Sequence, residues 1–293
     1  MIPSLRAKLA QGRFVVAPGV YDLVSARIAD RMNFDALYMT GYGVAASYLG
    51  LPDAGLATFT DMLDRVRRIA EGISTPLIAD ADTGYGGLLN VRHTVRGYEA
   101  AGAKAIQIED QEFPKKCGHT ANRRVVATDE MAARIAVAVD SRRSLETLIV
   151  ARTDARTSLG LDEAIRRAQA YKQAGADVIF VESPESEDEL ARIGREVEPP
   201  LMVNLVEGGR TPIVSAERLK ELGFAIAIYP VTGLLAAAEA IRIAYEHLRT
   251  SGASIGASMP SFQGEAGLRA FHELMGFPEV WEFERKYGLR DPD

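Results

Sequence analysis

The single cysteine of the chain, Cys117, lies in the segment Lys115-Lys116-Cys117-Gly118-His119. Cationic neighbours favour thiolate over thiol, so a cysteine in this setting can give up or accept a proton near neutral pH. A lone intracellular cysteine is more often a small buried apolar residue, but the charged, glycine-containing sequence around Cys117 is typical of a polar loop. We therefore interpret Cys117 as an acid/base group or a nucleophile, with Lys115 and His119 as its neighbours.

Acidic residues upstream of this loop offer oxygen ligands for a metal ion. Asp80-Ala81-Asp82 supplies two carboxylates, and Glu109 supplies a third. Carboxylate oxygens, completed by water and substrate oxygens, suit Mg²⁺, with Mn²⁺ as the alternative ion. Zinc is disfavoured because Cys117 and His119 provide only two ligands of the kind it prefers. The sequence thus predicts an all-oxygen magnesium site beside the cysteine loop.

Short apolar runs alternate with longer amphipathic segments along the chain and must position these groups. Eight runs lack polar/apolar alternation, as expected of parallel strands buried on both faces: 14–17, 36–40, 76–80, 105–109, 148–152, 178–182, 201–204 and 225–229. Eight helices are predicted between and after them: 20–32, 61–71, 91–101, 129–140, 161–174, 187–196, 215–222 and 234–249. The alternation predicts an α/β fold, a (β/α)₈ TIM-type barrel. We expect one domain over 1–293, in which 251–293 is a helical C-terminal extension.

Polar side chains stand at equivalent positions, each at the C-terminal end of a predicted strand: Thr40, Asp80, Glu109, Arg152, Glu182 and Asn204. One such residue is commonly a turn or cap residue, whereas six around a ring indicate an active site, since barrels build theirs on this face. Arg152 can bind both oxygens of a substrate carboxylate.

The segment Thr40-Gly41-Tyr42-Gly43-Val44-Ala45-Ala46 fits the weak G-x-G-x-x-A form of a dinucleotide motif, but no ribose-binding acid follows as required. Its glycines more plainly aim backbone N–H groups at a carboxylate or oxyanion.

Composition narrows the class of partner. The formal net charge is −6, with 47% hydrophobic and 25% charged residues, which disfavours nucleic acid and anionic membranes as partners. One cysteine fits a reducing compartment. No apolar signal segment is recognised near the N-terminus, and the run 234–245 is too short and too charged to span a bilayer. We expect a cytoplasmic protein that acts on a small-molecule carboxylate.

Taken together, the chain resembles the isocitrate lyase/phosphoenolpyruvate mutase superfamily over essentially its whole length. The resemblance rests on these segments: Thr40-Gly41-Tyr42-Gly43, Leu51-Pro52-Asp53, Asp80-Ala81-Asp82-Thr83-Gly84-Tyr85-Gly86, Glu109-Asp110-Gln111, Lys115-Lys116-Cys117-Gly118-His119, Arg152-Thr153-Asp154-Ala155, Val181-Glu182 and Asn204-x-x-Glu207-Gly208-Gly209. In that family the Lys-Lys-Cys-Gly-His loop marks the lyases, while the phosphonate mutases lack the cysteine.

The resemblance implies a role for each matching residue. Asp80, Asp82 and Glu109 would hold Mg²⁺, and Cys117, on a loop that closes over the site, would act on the half of the substrate that does not become the α-keto acid. The other implied site residues fall into two groups: Thr40, Gly41, Tyr42, Asp53 and Arg152 on the substrate, and Lys115, His119, Glu182 and Asn204 lining the pocket. The family also implies a homo-oligomer, in which the eighth helix is exchanged within dimers that pair into tetramers.

The implied reaction is carbon–carbon cleavage of a 2-hydroxy acid. The metal lowers the pKa of the hydroxyl, loss of that proton releases an α-keto acid, and Cys117 protonates the carbanion left behind. Tyr42, Glu109 or a metal-bound water could serve as the base.

One departure from the family pattern bears on the substrate. Methylisocitrate lyases are expected to carry an arginine shortly after the Tyr-Pro that ends the eighth strand, but here Tyr229-Pro230 is followed by Val231-Thr232-Gly233. A third carboxylate would be left poorly matched. We therefore expect a 2-hydroxy dicarboxylic acid such as 2,3-dimethylmalate, cleaved to pyruvate and propionate. The alternatives are methylisocitrate cleavage to succinate and pyruvate, oxaloacetate decarboxylation or hydrolysis, and a phosphonate mutase, against which Cys117 counts.

Overall fold

The computed structural model describes residues 3–118, 120, 123–254 and 264–288. Eight parallel strands form a closed barrel in sequential order, β1 to β8. Their bounds are β1 Val15–Val20, β2 Leu37–Met39, β3 Leu77–Asp80, β4 Ala105–Glu109, β5 Leu148–Thr153, β6 Val178–Val181, β7 Leu201–Asn204 and β8 Ile226–Tyr229. The barrel closes where β1 pairs with β8, with Val15 opposite Ile226. The predicted (β/α)₈ barrel is confirmed.

Helices follow the strands in alternation. Their bounds are α1 Leu5–Ala10, α2 Leu23–Asp30, α3 Gly41–Val44, α4 Phe59–Gly72, α5 Leu88–Ala100, α6 Thr128–Ser141, α7 Ala155–Leu159, α8 Leu161–Gln173, α9 Glu187–Glu196, α10 Ala216–Glu221, α11 Thr232–Ser251, α12 Gly264–Leu274 and α13 Phe277–Lys286. A π-helical turn, Ala45–Leu49, continues α3. The eight predicted helices are all present, with ends shifted by a few residues.

Two clusters of buried apolar side chains form the core of the barrel. One fills its interior and includes Tyr38, Val150 and Phe180, and the other lies between the strands and the surrounding helices and includes Met39 and Ile108. Because successive strand residues face opposite sides, each strand contributes to both clusters. This is why the strands read as continuous apolar runs in the sequence.

Local signals set the helix boundaries. Asp22 and Ser25 form a capping box at the start of α2, and Thr58 with Asp61 does the same for α4. Reciprocal bonds of this kind satisfy backbone N–H groups that a helix start leaves without partners. Gly102, after α5, and Gly175, after α8, have φ values of 106° and 101°, a conformation that glycine adopts without steric cost.

Three short helices were missed by the periodicity argument. They are α1, ahead of the first strand, α3, and α7. None exceeds six residues, which is too short for an amphipathic repeat to register. The last two follow directly after strand ends, where the sequence suggested loops.

The chain divides into two compact units, Met1–Leu234 and Leu235–Asp293. The first contains the barrel. In the second, α12 and α13 provide the helical part of the predicted 251–293 extension, while 255–263 and 289–293 lie outside the described residues. The single-domain organisation and the exchange of a helix between subunits stay predictions. Within the described ranges, no helix is long and apolar enough to cross a membrane.

Candidate active site

The polar residues predicted at the strand ends are buried together at the C-terminal end of the barrel. Thr40 directly follows β2, Glu182 directly follows β6, and the other four lie within β3, β4, β5 and β7. All six are classed among the buried polar residues: Thr40, Asp80, Glu109, Arg152, Glu182 and Asn204. Strand pairing places Glu109 opposite Arg152. The predicted convergence of these residues on one face is therefore confirmed, because the carboxyl ends of parallel barrel strands all lie on the same side.

The carboxylate of Asp80 is held by three N–H groups. Its Oδ1 accepts hydrogen bonds from the Asp82 backbone N–H at 3.1 Å and from Gln107 Nε2 at 3.2 Å. Its Oδ2 accepts one from the Gly41 backbone N–H at 3.3 Å. A Cβ added at Gly41 would lie 2.7 Å from Asp80 Oδ2, so glycine is required there for the close approach. The fixed orientation of Asp80 thus depends on backbone and side chain alike.

Asp82 lies against the ammonium of Lys115. Lys115 Nζ is 2.6 Å from Asp82 Oδ1 and 2.5 Å from Asp53 Oδ1. Burial raises the pKa of Asp82 to about 6, Lys115 opposes the rise, and Asp80 and Asp53 add to it. Burial alone would lower the pKa of Lys115, but the two aspartates raise it overall. The Lys115 ammonium thus lies between two acidic side chains.

Arg152 is the centre of a second charged group. Its Nε and Nη2 donate to the Asp154 carboxylate at 2.8 and 3.0 Å. Glu109 Oε2 is 3.4 Å from Nε, and Glu182 Oε2 is 3.3 Å from Nη2. Asn204 Nδ2 donates to Glu182 Oε2 at 3.2 Å. The guanidinium is thereby held in place by carboxylates from β4 and from the residues that directly follow β5 and β6.

Burial also acts on the acids of this group. It raises the pKa of Glu109 well above the ordinary value, while Arg152 opposes the rise. For Asp154, burial would raise the pKa, but Arg152 and Arg123 lower it overall. Two acids beside one guanidinium are therefore driven toward different protonation states, which is the arrangement that acid/base chemistry needs.

The loop that carries Cys117 packs on both charged groups. The Cys117 backbone N–H donates to the Asp53 carbonyl at 3.0 Å. Ser183 Oγ donates to the Gly118 carbonyl at 3.2 Å, and a Cβ at Gly118 would collide with Arg152 Nη2. Cys117 itself is half-buried. Part of the loop lies outside the described residues: His119, Ala121 and Asn122. The predicted contribution of His119 is therefore untested.

The donors fit a hard divalent cation. In the ranges the structure describes, no three Asp, Glu, His or Cys side chains form a ready metal cage. Mg²⁺ does not need one, because it keeps several waters and usually binds one or two carboxylates. Glu109 Oε1 is buried without a hydrogen-bond partner among the described residues, and Asp82 Oδ1 is met there by the Lys115 ammonium instead of a hydrogen bond. The chemistry of these oxygens suits a cation, and the assignment of Asp80, Asp82 and Glu109 as ligands stays a prediction.

The glycine segment after β2 differs from the expectation. Gly41–Val44 is a helical turn capped by Thr40, whose Oγ1 accepts from the Gly43 backbone N–H at 3.3 Å. The Gly41 N–H is already directed at a carboxylate, that of Asp80. Tyr42 is 42% exposed, unlike the buried residues around it. The structure thus brings Thr40 and Gly41 to the charged cluster and leaves Tyr42 at its margin.

Sequence reasoning did not single out several residues that hold the site together. Asp154 joins Arg152 to Arg123, and Gln107 joins Asp80 to Tyr38. Asp154 was within a recognised motif but had no role assigned. Gln107 stood within an apolar strand, and a polar residue in the middle of such a run was the available signal, since a buried amide needs partners.

Comparisons with known proteins agree with this geometry. Residues 5–249 match the family model described as phosphoenolpyruvate phosphomutase. The chain is 45% identical to 2,3-dimethylmalate lyase of Eubacterium barkeri over 286 residues, 97% of each protein. It is 44% identical to 2-methylisocitrate lyase of Aeropyrum pernix over 236 residues, which are 80% of this chain and 76% of that protein.

Solved structures give the same result. A crystal structure of 2,3-dimethylmalate lyase, a PEP mutase/isocitrate lyase superfamily member, matches with a TM-score of 0.89 and 40% identity over 97% of this chain and 93% of that one. Oxaloacetate acetylhydrolase with 3,3-difluorooxalacetate matches at 0.89 and 38%, covering 96% and 94%. Phosphonopyruvate hydrolase with oxalate and Mg²⁺ matches at 0.85 and 32%, covering 97% of each. From its barrel, its buried carboxylates and these likenesses, the chain belongs to the PEP mutase/isocitrate lyase superfamily.

Proposed function

We propose that this protein is a Mg²⁺-dependent lyase that cleaves a 2-hydroxy dicarboxylic acid of the 2,3-dimethylmalate type to pyruvate and a carboxylic acid, propionate. One observation carries the proposal: the loop bearing Cys117 packs directly on the buried carboxylate and guanidinium cluster, through Lys115 on Asp82 and Gly118 on Arg152. The carbon–carbon lyase class predicted from the sequence is confirmed by relatives that are themselves lyases.

The metal would be held by Asp80, Asp82 and Glu109, with Mg²⁺ expected and Mn²⁺ as the alternative. When bound, such an ion supplies a Lewis acid that lowers the pKa of a ligating hydroxyl and offsets negative charge. Two observations support the assignment: the donor-free oxygen of Glu109 and the excess of buried carboxylates around it. The Mg²⁺ present with oxalate in the related phosphonopyruvate hydrolase supports it further.

Arg152, Thr40, Gly41 and Tyr42 would bind the carboxylate of the half that becomes pyruvate. Arg152 Nε and Nη2 are occupied by protein carboxylates, so Nη1 is the nitrogen that we assign to the substrate. The Gly41 backbone N–H donates to Asp80. We therefore assign the backbone N–H of Tyr42 as the group that would donate to the substrate carboxylate. Glu182 and Asn204, joined by a hydrogen bond of 3.2 Å, would line the same pocket together with Asp53 and Lys115.

Cys117 would act as the general acid. Removal of the hydroxyl proton lets the C–O bond become a carbonyl while the C2–C3 bond breaks, and the electron pair passes to C3. The Cys117 thiol then donates its proton to C3, which completes the carboxylic acid product. Glu109 and Tyr42 are the side chains that we propose as acceptors of the hydroxyl proton.

The segment that follows β8 supports a dicarboxylate as the substrate. Thr232 stands in the segment where an arginine would meet a third carboxylate, and its Oγ1 donates to Glu207 Oε1 at 2.6 Å. Arg210, in the preceding loop, is paired with Glu185 at 3.0 Å. With a neutral threonine in that segment and Arg210 already paired, a third carboxylate would lack a cation there, which disfavours methylisocitrate.

Two related proteins suggest alternative activities for this chain. Methylisocitrate cleavage is the alternative because a lyase with that substrate is 44% identical to this chain. Oxaloacetate hydrolysis is the second alternative, because the oxaloacetate acetylhydrolase fold superimposes with a TM-score of 0.89.

We further propose a dimer of helix-exchanged dimers and a cytoplasmic location. Light scattering of the purified protein tests the oligomeric state.

The deciding experiment measures the diagnostic product of five substrates: pyruvate from 2,3-dimethylmalate, 2-methylisocitrate and citramalate, glyoxylate from isocitrate, and pyruvate or oxalate from oxaloacetate. Each substrate is assayed with Mg²⁺ and with EDTA. We expect release from 2,3-dimethylmalate, abolished by EDTA, and little from the tricarboxylates. Turnover of oxaloacetate alone, or release that survives chelation, would refute the proposed reaction.

A further inference from the structure

A chain of two buried hydrogen bonds leads from the barrel interior to Asp80. Tyr38 Oη donates to Gln107 Oε1 at 3.0 Å, and Gln107 Nε2 donates to Asp80 Oδ1 at 3.2 Å. Tyr38 lies in β2 and Gln107 in β4, on either side of the strand that ends in Asp80. The chain therefore links three adjacent strands below the charged cluster.

Both residues are placed where polar groups are costly. Gln107 is fully buried and Tyr38 is 2% exposed, and Tyr38 belongs to the apolar cluster that fills the barrel. Packing alone would be served equally well by apolar side chains, because an amide and a hydroxyl must both be satisfied in such surroundings. Their polar atoms find partners in each other and in Asp80.

From this arrangement we infer that Tyr38 and Gln107 are positioning residues for Asp80, an inference that rests on the proposed metal site. Tyr38 donates to Oε1 and so fixes which end of the Gln107 amide faces Asp80. With the amide reversed, its oxygen would oppose the carboxylate. The Nε2–H thus holds Asp80 Oδ1 in place and leaves Oδ2, which accepts only the longer Gly41 bond among the described residues, better able to meet a cation.

The test uses Mn²⁺ as a spectroscopic probe, so that no turnover is needed. Free Mn²⁺ is titrated by electron paramagnetic resonance against the full chain and against the variants Tyr38→Phe, Gln107→Met and the double variant. Tyr171→Phe is the matched control, because Tyr171 is likewise fully buried and its hydroxyl bonds a different acid, Asp110, at 2.8 Å. Thermal unfolding of each variant accompanies the titration.

Loss of such outer contacts typically weakens metal affinity about 10- to 100-fold, and we expect that range for Tyr38→Phe and Gln107→Met. If Tyr38 acts through Gln107, the double variant binds no more weakly than Gln107→Met alone. Tyr171→Phe should bind Mn²⁺ as the wild type does, even where its melting temperature falls.

Two outcomes would overturn the inference. Wild-type affinity in Tyr38→Phe and Gln107→Met would refute the positioning role while leaving the metal site intact. Absence of Mn²⁺ binding in the wild type would refute the metal site itself, and with it any role in positioning a ligand. Tyr38→Phe removes one atom only, so it decides the matter if Gln107→Met does not fold.

Discussion

The two ends of the barrel both carry buried or half-buried carboxylates, but these are neutralised differently. At the N-terminal end, Asp177 lies between Arg6 and Arg142, and Asp35 lies between Lys8 and Arg13. Each of these two acids meets two cations. A cavity of about 420 Å³ opens at this end, yet Lys8 and Arg13, which contribute to its wall, are already paired with Asp35.

At the C-terminal end, acids outnumber cations among the described residues. The acids are Asp53, Asp80, Asp82, Glu109, Asp154 and Glu182, and the cations that meet them are Lys115, Arg123 and Arg152. Burial of this many acids is unfavourable unless some of them bind protons, as the raised pKa values of Asp82 and Glu109 indicate, or a further cation offsets their charge. This difference supports the proposal that the C-terminal end binds the metal and substrate, whereas the paired acids at the N-terminal end stabilise the fold, as in barrels generally.

The largest effect should separate the two ends by activity. Asp80→Ala removes a proposed metal ligand and should lower kcat at least about 1,000-fold at any Mg²⁺ concentration, since a bound metal contributes several kcal/mol. Asp35→Ala, the control at the opposite end, should keep kcat and lose about 1–3 kcal/mol of unfolding free energy as Lys8 is left unpaired. Rescue of Asp80→Ala by excess Mg²⁺ would reduce Asp80 to a secondary ligand.

The thiol provides the next test. Cys117→Ala should lower turnover of the lyase substrate by about 10²- to 10⁴-fold, the usual contribution of a general acid. Binding of Mg²⁺ and pyruvate, measured by calorimetry, should be unchanged because Cys117 belongs to neither proposed binding group. Turnover within a factor of two of wild type would exclude the thiol as the proton donor.

Stability should also distinguish a buried ion pair at one end from a partly exposed pair at the other. Asp154→Ala leaves Arg152 and Arg123 buried without their shared carboxylate, and should lower the free energy of unfolding by about 3–5 kcal/mol. Asp177→Ala should cost less, about 1–3 kcal/mol, because the Arg6 side chain is 35% exposed and can be rehydrated, while the more buried Arg142 keeps its hydrogen bond to the Thr147 carbonyl. Equal losses in urea unfolding would contradict this distinction.

The smallest effect concerns pH at the N-terminal end. Burial would raise the pKa of Asp30, but donors from Ser74 and Thr75, the shortest at 2.7 Å, lower it overall. A lowered folded pKa stabilises the fold above the unfolded value, about 4, and the contribution is lost as pH falls through the folded value. Asp30→Ala should therefore cost about 1 kcal/mol at pH 7, because the carboxylate is partly exposed. A cost in urea unfolding that stays unchanged at pH 3 would contradict this sign.

Much of the barrel could be predicted because its signals are local. Each strand is a continuous apolar run, and several are preceded by a glycine helix stop such as Gly102 or Gly175. The predicted strand 201–204 coincides with β7, and 105–109 coincides with β4. The short helices α3 and α7 were missed because four or five residues are too few to show an amphipathic repeat.

The sequence by itself determined the fold class and the acids that face a common centre, because apolar runs alternating with helices require parallel strands whose carboxyl ends meet on one face. The family followed from the resemblance of its motifs. Only the tertiary structure decided which charges meet. Lys115 bonds Asp53, which is 62 positions away, and Tyr38 bonds Gln107, which is 69 away. Such pairs depend on how the closed barrel brings loops and interior side chains within hydrogen-bond distance, and no spacing along the chain encodes a distance of 3 Å between them.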